Sequence, residues 1–231
     1  MFFITGDLHG DTQRIIDFCD RFKTTLDDVL IILGDVGINY YGCSDRFTKE
    51  LISLLPITLF CIHGNHDKRP ENVDGYELVS FCDGQAYQQK QYPNILFALD
   101  GEGYNFEGLK TIVLGGGYSV DKMHRLENRL PWFDDEQPNE EMKQRMLDNL
   151  SVWDNRVDIV LTHTTPYRYI PREIFKSCFV QSSLDYSTEL FLDEVEKSVS
   201  YSYWYCGHYH IDKVVDRINY MFLDVKLLGN K

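Results

Sequence analysis

Two aspartates, one asparagine and four histidines carry the chemistry legible in this chain: Asp7, His9, Asp35, Asn65, His163, His208 and His210. Each stands in a short polar turn after an apolar run. The turns are Gly6-Asp7-Leu8-His9-Gly10, Gly34-Asp35, Gly64-Asn65-His66-Asp67, Thr162-His163 and Gly207-His208-Tyr209-His210. Together they hold five of the seven histidines, so these residues are concentrated rather than scattered. Two carboxylates, one amide oxygen and four imidazoles are too many for a zinc site of three or four ligands. They suit two first-row metals that share a bridging carboxylate, sit ~3.5–4 Å apart and clamp the attacking and leaving oxygens of an in-line displacement. Mixed imidazole and carboxylate ligation fits Mn, Fe or Zn. In Asp7-x-His9 and His208-x-His210, alternate residues of an extended turn point the same way, so each pair can face one metal.

For the turns to converge, the elements before them must lie side by side. Phe2 to Thr5, Val29 to Leu33 and Ile57 to Ile62 read as buried strands, each ending at a glycine-containing turn. Between them lie two helical stretches. Asp11 can cap the first, in which Ile15, Ile16, Phe18, Cys19 and Phe22 follow near-helical spacing. The second, Ser44 to Leu55, places Phe47, Leu51, Leu54 and Leu55 on one face. Strand, helix, strand, helix, strand implies a parallel sheet, and ligands bind at the carboxyl edge of such sheets. Lys68 to Pro93 is polar and reads as loop. Ile95 to Leu99, Tyr104 to Phe106 and Leu109 to Leu114 read as an antiparallel meander. Asn139 to Leu150 and Tyr186 to Val199 read as helices, Val157 to Thr162 and Trp204 to Cys206 as strands. Lys213 to Asp216 and Asn219 to Val225 complete a hairpin. The expected architecture is α/β, with two sheets packed face to face and helices outside.

The five turns resemble the five motifs of the calcineurin-like metallophosphoesterases, in that family's order and over nearly the whole chain. One motif alone is weak, but five in order, each after an apolar strand, are specific. The resemblance implies a four-layer α/β/β/α sandwich of two mixed sheets flanked by helices. It implies a dinuclear metal centre: Asp7, His9 and His210 hold one ion, Asn65, His163 and His208 the other, and Asp35 bridges them. His66 would be no ligand. It would face the substrate phosphoryl and protonate the leaving oxygen, a task that suits an imidazole. The implied activity is metal-dependent hydrolysis of a phosphomonoester or phosphodiester, with hydroxide as nucleophile near neutral pH. A non-catalytic metal-binding interaction module on the same fold is the alternative. A scaffold that had lost its chemistry could lose His66 without disturbing its metals, and His66 is present.

One departure is informative. The protein-phosphatase branch of the family carries a second Asp and an Arg shortly after its Gly-Asp. Here Val36-Gly37-Ile38-Asn39-Tyr40 follows, with neither. Dephosphorylation of protein phosphoserine is disfavoured, and His66 lacks its usual carboxylate partner. Asp67 reads as a turn residue or as a support behind the ligands, His63 as strand-end packing and His124 as a surface residue. Singly, Asp7 and Asp35 read as turn residues or helix caps. The histidines around them shift that reading towards metal ligation.

A chain of 231 residues reads as one domain spanning 1–231, with an irregular insertion at about 115–138 after Gly115-Gly116-Gly117. Long unstructured loops tend to be functional, so Lys122 and Arg125 are candidate substrate contacts. The net charge of −13 argues against non-specific nucleic-acid or anionic-membrane binding. It leaves room for a phosphorylated small-molecule or nucleotide substrate, because bound metals reverse the local field. Six cysteines without a CxxC or a dense framework indicate a reducing compartment. The longest uncharged apolar run, Leu51 to Ile62, is broken by Pro56 and too short to span a bilayer. Only four residues precede Thr5, too few for a signal peptide, so a cytoplasmic location is expected.

Overall fold

The computed structural model describes residues 1–174 and 184–229. Strand β1 (Phe2–Thr5), helix α1 (Thr12–Phe22), strand β2 (Val29–Ile32), helix α2 (Asp45–Ser53) and strand β3 (Thr58–Cys61) alternate as the apolar runs predict. Strands β4 (Tyr76–Phe81), β5 (Gly84–Gln89), β6 (Ile95–Ala98), β7 (Gly103–Phe106) and β8 (Leu109–Leu114) follow. A short helix α3 (Lys122–Glu127) precedes a longer α4 (Glu140–Val152), whose Asn139 cap accepts from the Met142 amide. Then come β9 (Ile159–Thr162), α5 (Ser187–Ser198), β10 (Tyr203–Cys206), β11 (Lys213–Val215), β12 (Ile218–Tyr220) and β13 (Lys226–Leu227).

The strands form two mixed sheets, in the orders β13-β1-β2-β3-β6-β5-β4 and β11-β12-β10-β9-β8-β7. Alternation along each central strand builds the layers. Phe3, Leu30, Ile32 and Leu59 face Ile15, Phe18 and Ile52 of α1 and α2. Ile4, Ile31, Leu33 and Phe60 point the other way, onto Val113, Ile159, Leu161 and Tyr205 of the second sheet. Beyond that sheet, Ile112, Leu114, Val160 and Trp204 pack on Met142, Met146, Leu150, Leu192 and Val195. The result is an α/β/β/α sandwich. Strands buried on both faces lose the polar alternation of a half-exposed strand, which is why they read as continuous apolar runs.

Three local expectations need correction. Lys68 to Pro93 is not a loop throughout: β4 and β5 pair antiparallel within it, and β5 pairs antiparallel with β6. Their side chains are half-exposed, so the apolar signal is diluted. The turn between them, Cys82-Asp83, takes positive φ at both residues, the conformation that closes two-residue hairpins. The proposed meander is split, because β6 runs parallel to β3 in the first sheet while β7 and β8 pair in the second. On α2 the buried stripe is Asp45, Lys49 and Ile52, whereas Phe47 and Leu54 are 75% and 82% exposed. Polar groups with internal partners displaced the apolar face there. Asp45 accepts from the amides of Tyr40 and Tyr41, and Lys49 donates to Gln89.

Among the described residues no helix is long and apolar enough to cross a membrane. Cys61 and Cys206 are buried free thiols within strands, as expected; Cys178 lies outside the described residues.

Candidate metal centre

All seven donor residues lie just past the carboxyl ends of parallel strands. Asp7 and His9 follow β1, Asp35 follows β2, Asn65 follows β3, His163 follows β9, and His208 and His210 follow β10. The turns are tight. His9, Asp35, His208 and His210 all adopt positive φ, between 49° and 67°. Such backbone is uncommon for non-glycine residues and concentrates at functional sites. Two glycines make room for the donors. A Cβ on Gly34, where φ is +104°, would overlap the His163 ring, and one on Gly64 would overlap the Asp35 carboxylate.

The donors form two groups. In the first, His210 Nε2 is 3.1 Å from Asp7 Oδ2 and 2.9 Å from His9 Nε2. In the second, Asn65 Oδ1 is 2.8 Å from His163 Nε2 and 2.9 Å from His208 Nδ1. The His163 Nδ1–H donates to the Leu33 carbonyl at 2.7 Å, so in the neutral ring its Nε2 presents a lone pair. That lone pair faces another acceptor, Asn65 Oδ1, whose amide nitrogen is turned away to donate to Ser119 Oγ. Acceptors gathered this closely fit a shared cation. Ligands ~2.1 Å from one metal lie about 3 Å from each other, the spacing seen in both groups.

Asp35 stands between them. Its Oδ2 is 3.9 Å from His9 Nε2 and its Oδ1 is 3.7 Å from His163 Nε2. Asp7, Asp35 and His163 also place ligand atoms within 4.8 Å of one another. The electrostatics fit a cation. Burial, then the carboxylates of Asp7 and Asp67, push Asp35 well above the ordinary carboxylate range. Burial acts in the same direction on Asp7, but the His210 hydrogen bond and the charges of His163 and His210 outweigh it, bringing Asp7 to about 2. Burial depresses His9 and His208, which favours the neutral imidazoles that metals bind.

His66 sits beside this edge, on the wall of a cavity of about 310 Å³ shared with His9, Asp35, Tyr40, Tyr41 and Arg125. Its partner is a cation. Arg125 Nη2 is 3.2 Å from His66 Nε2, and the same guanidinium donates to Tyr40 Oη at 2.7 Å, to Pro131 O at 3.1 Å and to Asp121 at 2.8 Å. A guanidinium only donates, so His66 Nε2 accepts and the ring hydrogen lies on Nδ1. Burial and the Arg125 charge push His66 down to about 3. Lys122 does not line this cavity; its Nζ lies 4.0 Å from the centroid of the Trp132 ring.

The sequence model of the calcineurin-like phosphoesterases matches residues 1–212. The chain belongs to the calcineurin-like phosphoesterase family. A comparison with curated proteins found no match. A crystal structure of a protein of unknown function, AQ665 from Aquifex aeolicus, is similar at 15% identity over 71% of this chain and 80% of that one. Its TM-score is 0.28, too low to carry any argument.

Several residues outside the set of seven donors brace the site of this family member. Ser119, buried beyond the triple glycine, orients the Asn65 amide. Asp67 accepts from the amides of Val36, Gly37 and Gly64 and so ties the β2 turn to the β3 turn. His63 is buried, with Nε2 2.8 Å from Asp67 O. Arg14 reaches Asp7 O, Thr5 Oγ1 and Phe222 O, bracing the first turn from behind. Asp67 stood within the third motif; the others had no sequence signal beyond their type. Tyr40 was within reach, because it lies in the segment that departs from the protein-phosphatase pattern.

Proposed function

We propose that this calcineurin-like phosphoesterase hydrolyses phosphate esters at a dinuclear centre of Mn, Fe or Zn. Asp7, His9 and His210 would hold one ion and Asn65, His163 and His208 the other, with Asp35 placed to serve both. The observation that carries this reading is the position of Asp35, with one carboxylate oxygen toward each donor group. Bound metal ions would neutralise the phosphoryl oxygens and generate the nucleophile at neutral pH. The protein's own part is orientation. Ser119 holds the Asn65 oxygen toward the histidines, and the Leu33 carbonyl fixes the His163 tautomer. His66 lines the cavity where the ester's alcohol would leave and is the candidate proton donor. Arg125 and Tyr40 border the same space, and the substrate is a phosphorylated small molecule or nucleotide.

The test is a screen of purified protein with added Mn²⁺. It compares p-nitrophenyl phosphate with its bis-ester, then a panel of nucleotides, with metal content measured in parallel. Turnover that disappears on chelation and returns with Mn²⁺ is the expected result. Two bound ions with no turnover on any ester would instead favour the metal-binding interaction module.

A further inference from the structure

Lys49 is a buried amine without a counter-ion. The residue is 5% exposed, and its Nζ donates to Gln89 Oε1 at 3.0 Å and lies 5.0 Å from the centroid of the Tyr76 ring. Among the described residues it makes no ion pair. Of the acidic side chains on its helix, Asp45, one turn earlier, already accepts from the backbone amides of Tyr40 and Tyr41, and Glu50 pairs with Arg46. Buried charges are ordinarily paired, because desolvation is costly. Burial accordingly lowers the Lys49 ammonium to about 8.

A second anomaly lies beside it. Asn39 is 3% exposed, and its Nδ2 has no hydrogen-bond partner. Its Oδ1 accepts from the Tyr76 hydroxyl at 3.2 Å, so the ring that carries the Lys49 amine also holds the Asn39 amide. Both residues line a cavity of about 420 Å³, together with Lys68, Asn72 and two carboxylates, Asp45 and Asp74. This cavity shares Tyr40 and Asp45 with the one beneath His66, so the Tyr40 segment is a wall common to both. An ammonium bonded only to a neutral amide oxygen and an amide N–H with no partner are both donors, and one ligand suits both: an anion with several acceptor oxygens.

We propose that Lys49, Asn39 and Lys68 form a second binding site, for a phosphate-like oxyanion, in the cavity behind Tyr40. The oxyanion is either free phosphate or a second phosphate on the substrate. Both present the same oxygens, and Tyr40 lies between either one and the metal centre. Because Tyr40 also holds Arg125, and Arg125 holds His66, occupancy of this site bears on the catalytic wall.

The test uses metal-free protein, so that the metal centre contributes no phosphate binding, and inorganic phosphate as the probe. Calorimetry and thermal melting should show saturable binding of one phosphate to the wild type. Lys49→Met should weaken it by about tenfold or more, the loss of one charge-assisted bond. His66→Asn and Arg125→Ala should leave it unchanged. Without phosphate, Lys49→Met should melt no lower than wild type, since it removes an unpaired buried charge and keeps the stem. Lys68→Ala, at an exposed position, should weaken phosphate several-fold whether or not Lys49→Met folds. Two arms separate the sources. A Lys49→Met loss in kcat/KM confined to bisphosphorylated substrates identifies the substrate's second phosphate. Equal effects on singly phosphorylated substrates, seen only with added phosphate, identify the free anion. No saturable phosphate binding to the metal-free wild type, or binding untouched by both lysine substitutions, overturns the proposal.

Discussion

The metal edge and the wall over His66 are built from different material. Every donor at the edge stands within a few residues of a strand whose side chains are buried on both faces. The wall comes from the Tyr40 segment and from the six-residue helix α3, held by side-chain bonds such as those of Arg125. The edge is therefore placed by the core, and the wall by contacts that a single substitution can remove. On the proposed reading, chemistry that needs fixed geometry would sit on the rigid part and recognition on the adjustable one.

The largest effect expected from breaking this contrast is at the edge. Asp35→Asn should cost metal at both positions and abolish turnover, because one carboxylate faces both donor groups. Metal analysis of the purified variant checks this, and two retained ions per chain would remove Asp35 from the bridging role. His66→Asn, on the wall, should keep its metals yet lose roughly 10²–10⁴ in rate on alkyl phosphate esters if the ring protonates the leaving oxygen. Nitrophenyl esters, whose leaving group needs no proton, should lose much less. Equal losses on the two esters would reassign His66 from proton donor to phosphoryl contact, in keeping with the Arg125 bond to its Nε2.

A third test probes what lies under the edge. Glu189 is buried, its Oε1 accepts from Thr164 Oγ1, and burial raises its carboxyl from 4.5 to about 7. Between those values the folded chain holds a proton that the unfolded chain has released. Stability should therefore fall as pH rises through that window, by about 3 kcal/mol in total. Glu189→Gln should flatten the dependence and be the more stable form above about pH 8, as read from urea midpoints. The smallest effect separates the two cations of α3. Arg125→Ala should raise KM or lower kcat by roughly 10–100-fold, the worth of a charge-assisted bond. Lys122→Ala should cost about 0.5–1 kcal/mol of stability through its lost contact with Trp132 and leave kinetics unchanged. Equal kinetic losses would put Lys122 back at the substrate.

The same contrast governs how much could be read from the chain alone. The donors at positions 7, 9, 35, 65, 163, 208 and 210 were legible because each ends an apolar run, and the central strands because both their faces are dry. The β4–β5 hairpin was not, since an edge hairpin with half-exposed side chains resembles loop in composition. The α2 stripe was misjudged because Asp45 is held by amides of the turn before the helix, at Tyr40 and Tyr41, and Lys49 by Gln89, 40 positions on. The partner of His66 was sought among carboxylates, and the fold supplied a guanidinium from 59 positions away. Pairings of that kind depend on tertiary approach and leave no local pattern.

The bond between Asp7 and His210 joins residues 203 positions apart. During synthesis the first three strands emerge carrying Asp7 and Asp35, two buried carboxylates with nothing to neutralise them. His210, which completes the first donor group, arrives only with the turn after β10, and β13, which pairs beside β1, arrives later still. Long-range pairing of this kind is slow to form. A metal that needs both ends of the chain cannot be captured tightly by a nascent or half-folded molecule. On the proposed metal reading, uptake would then be a clock for the final step of assembly, and the loaded fraction would count the molecules that have finished folding.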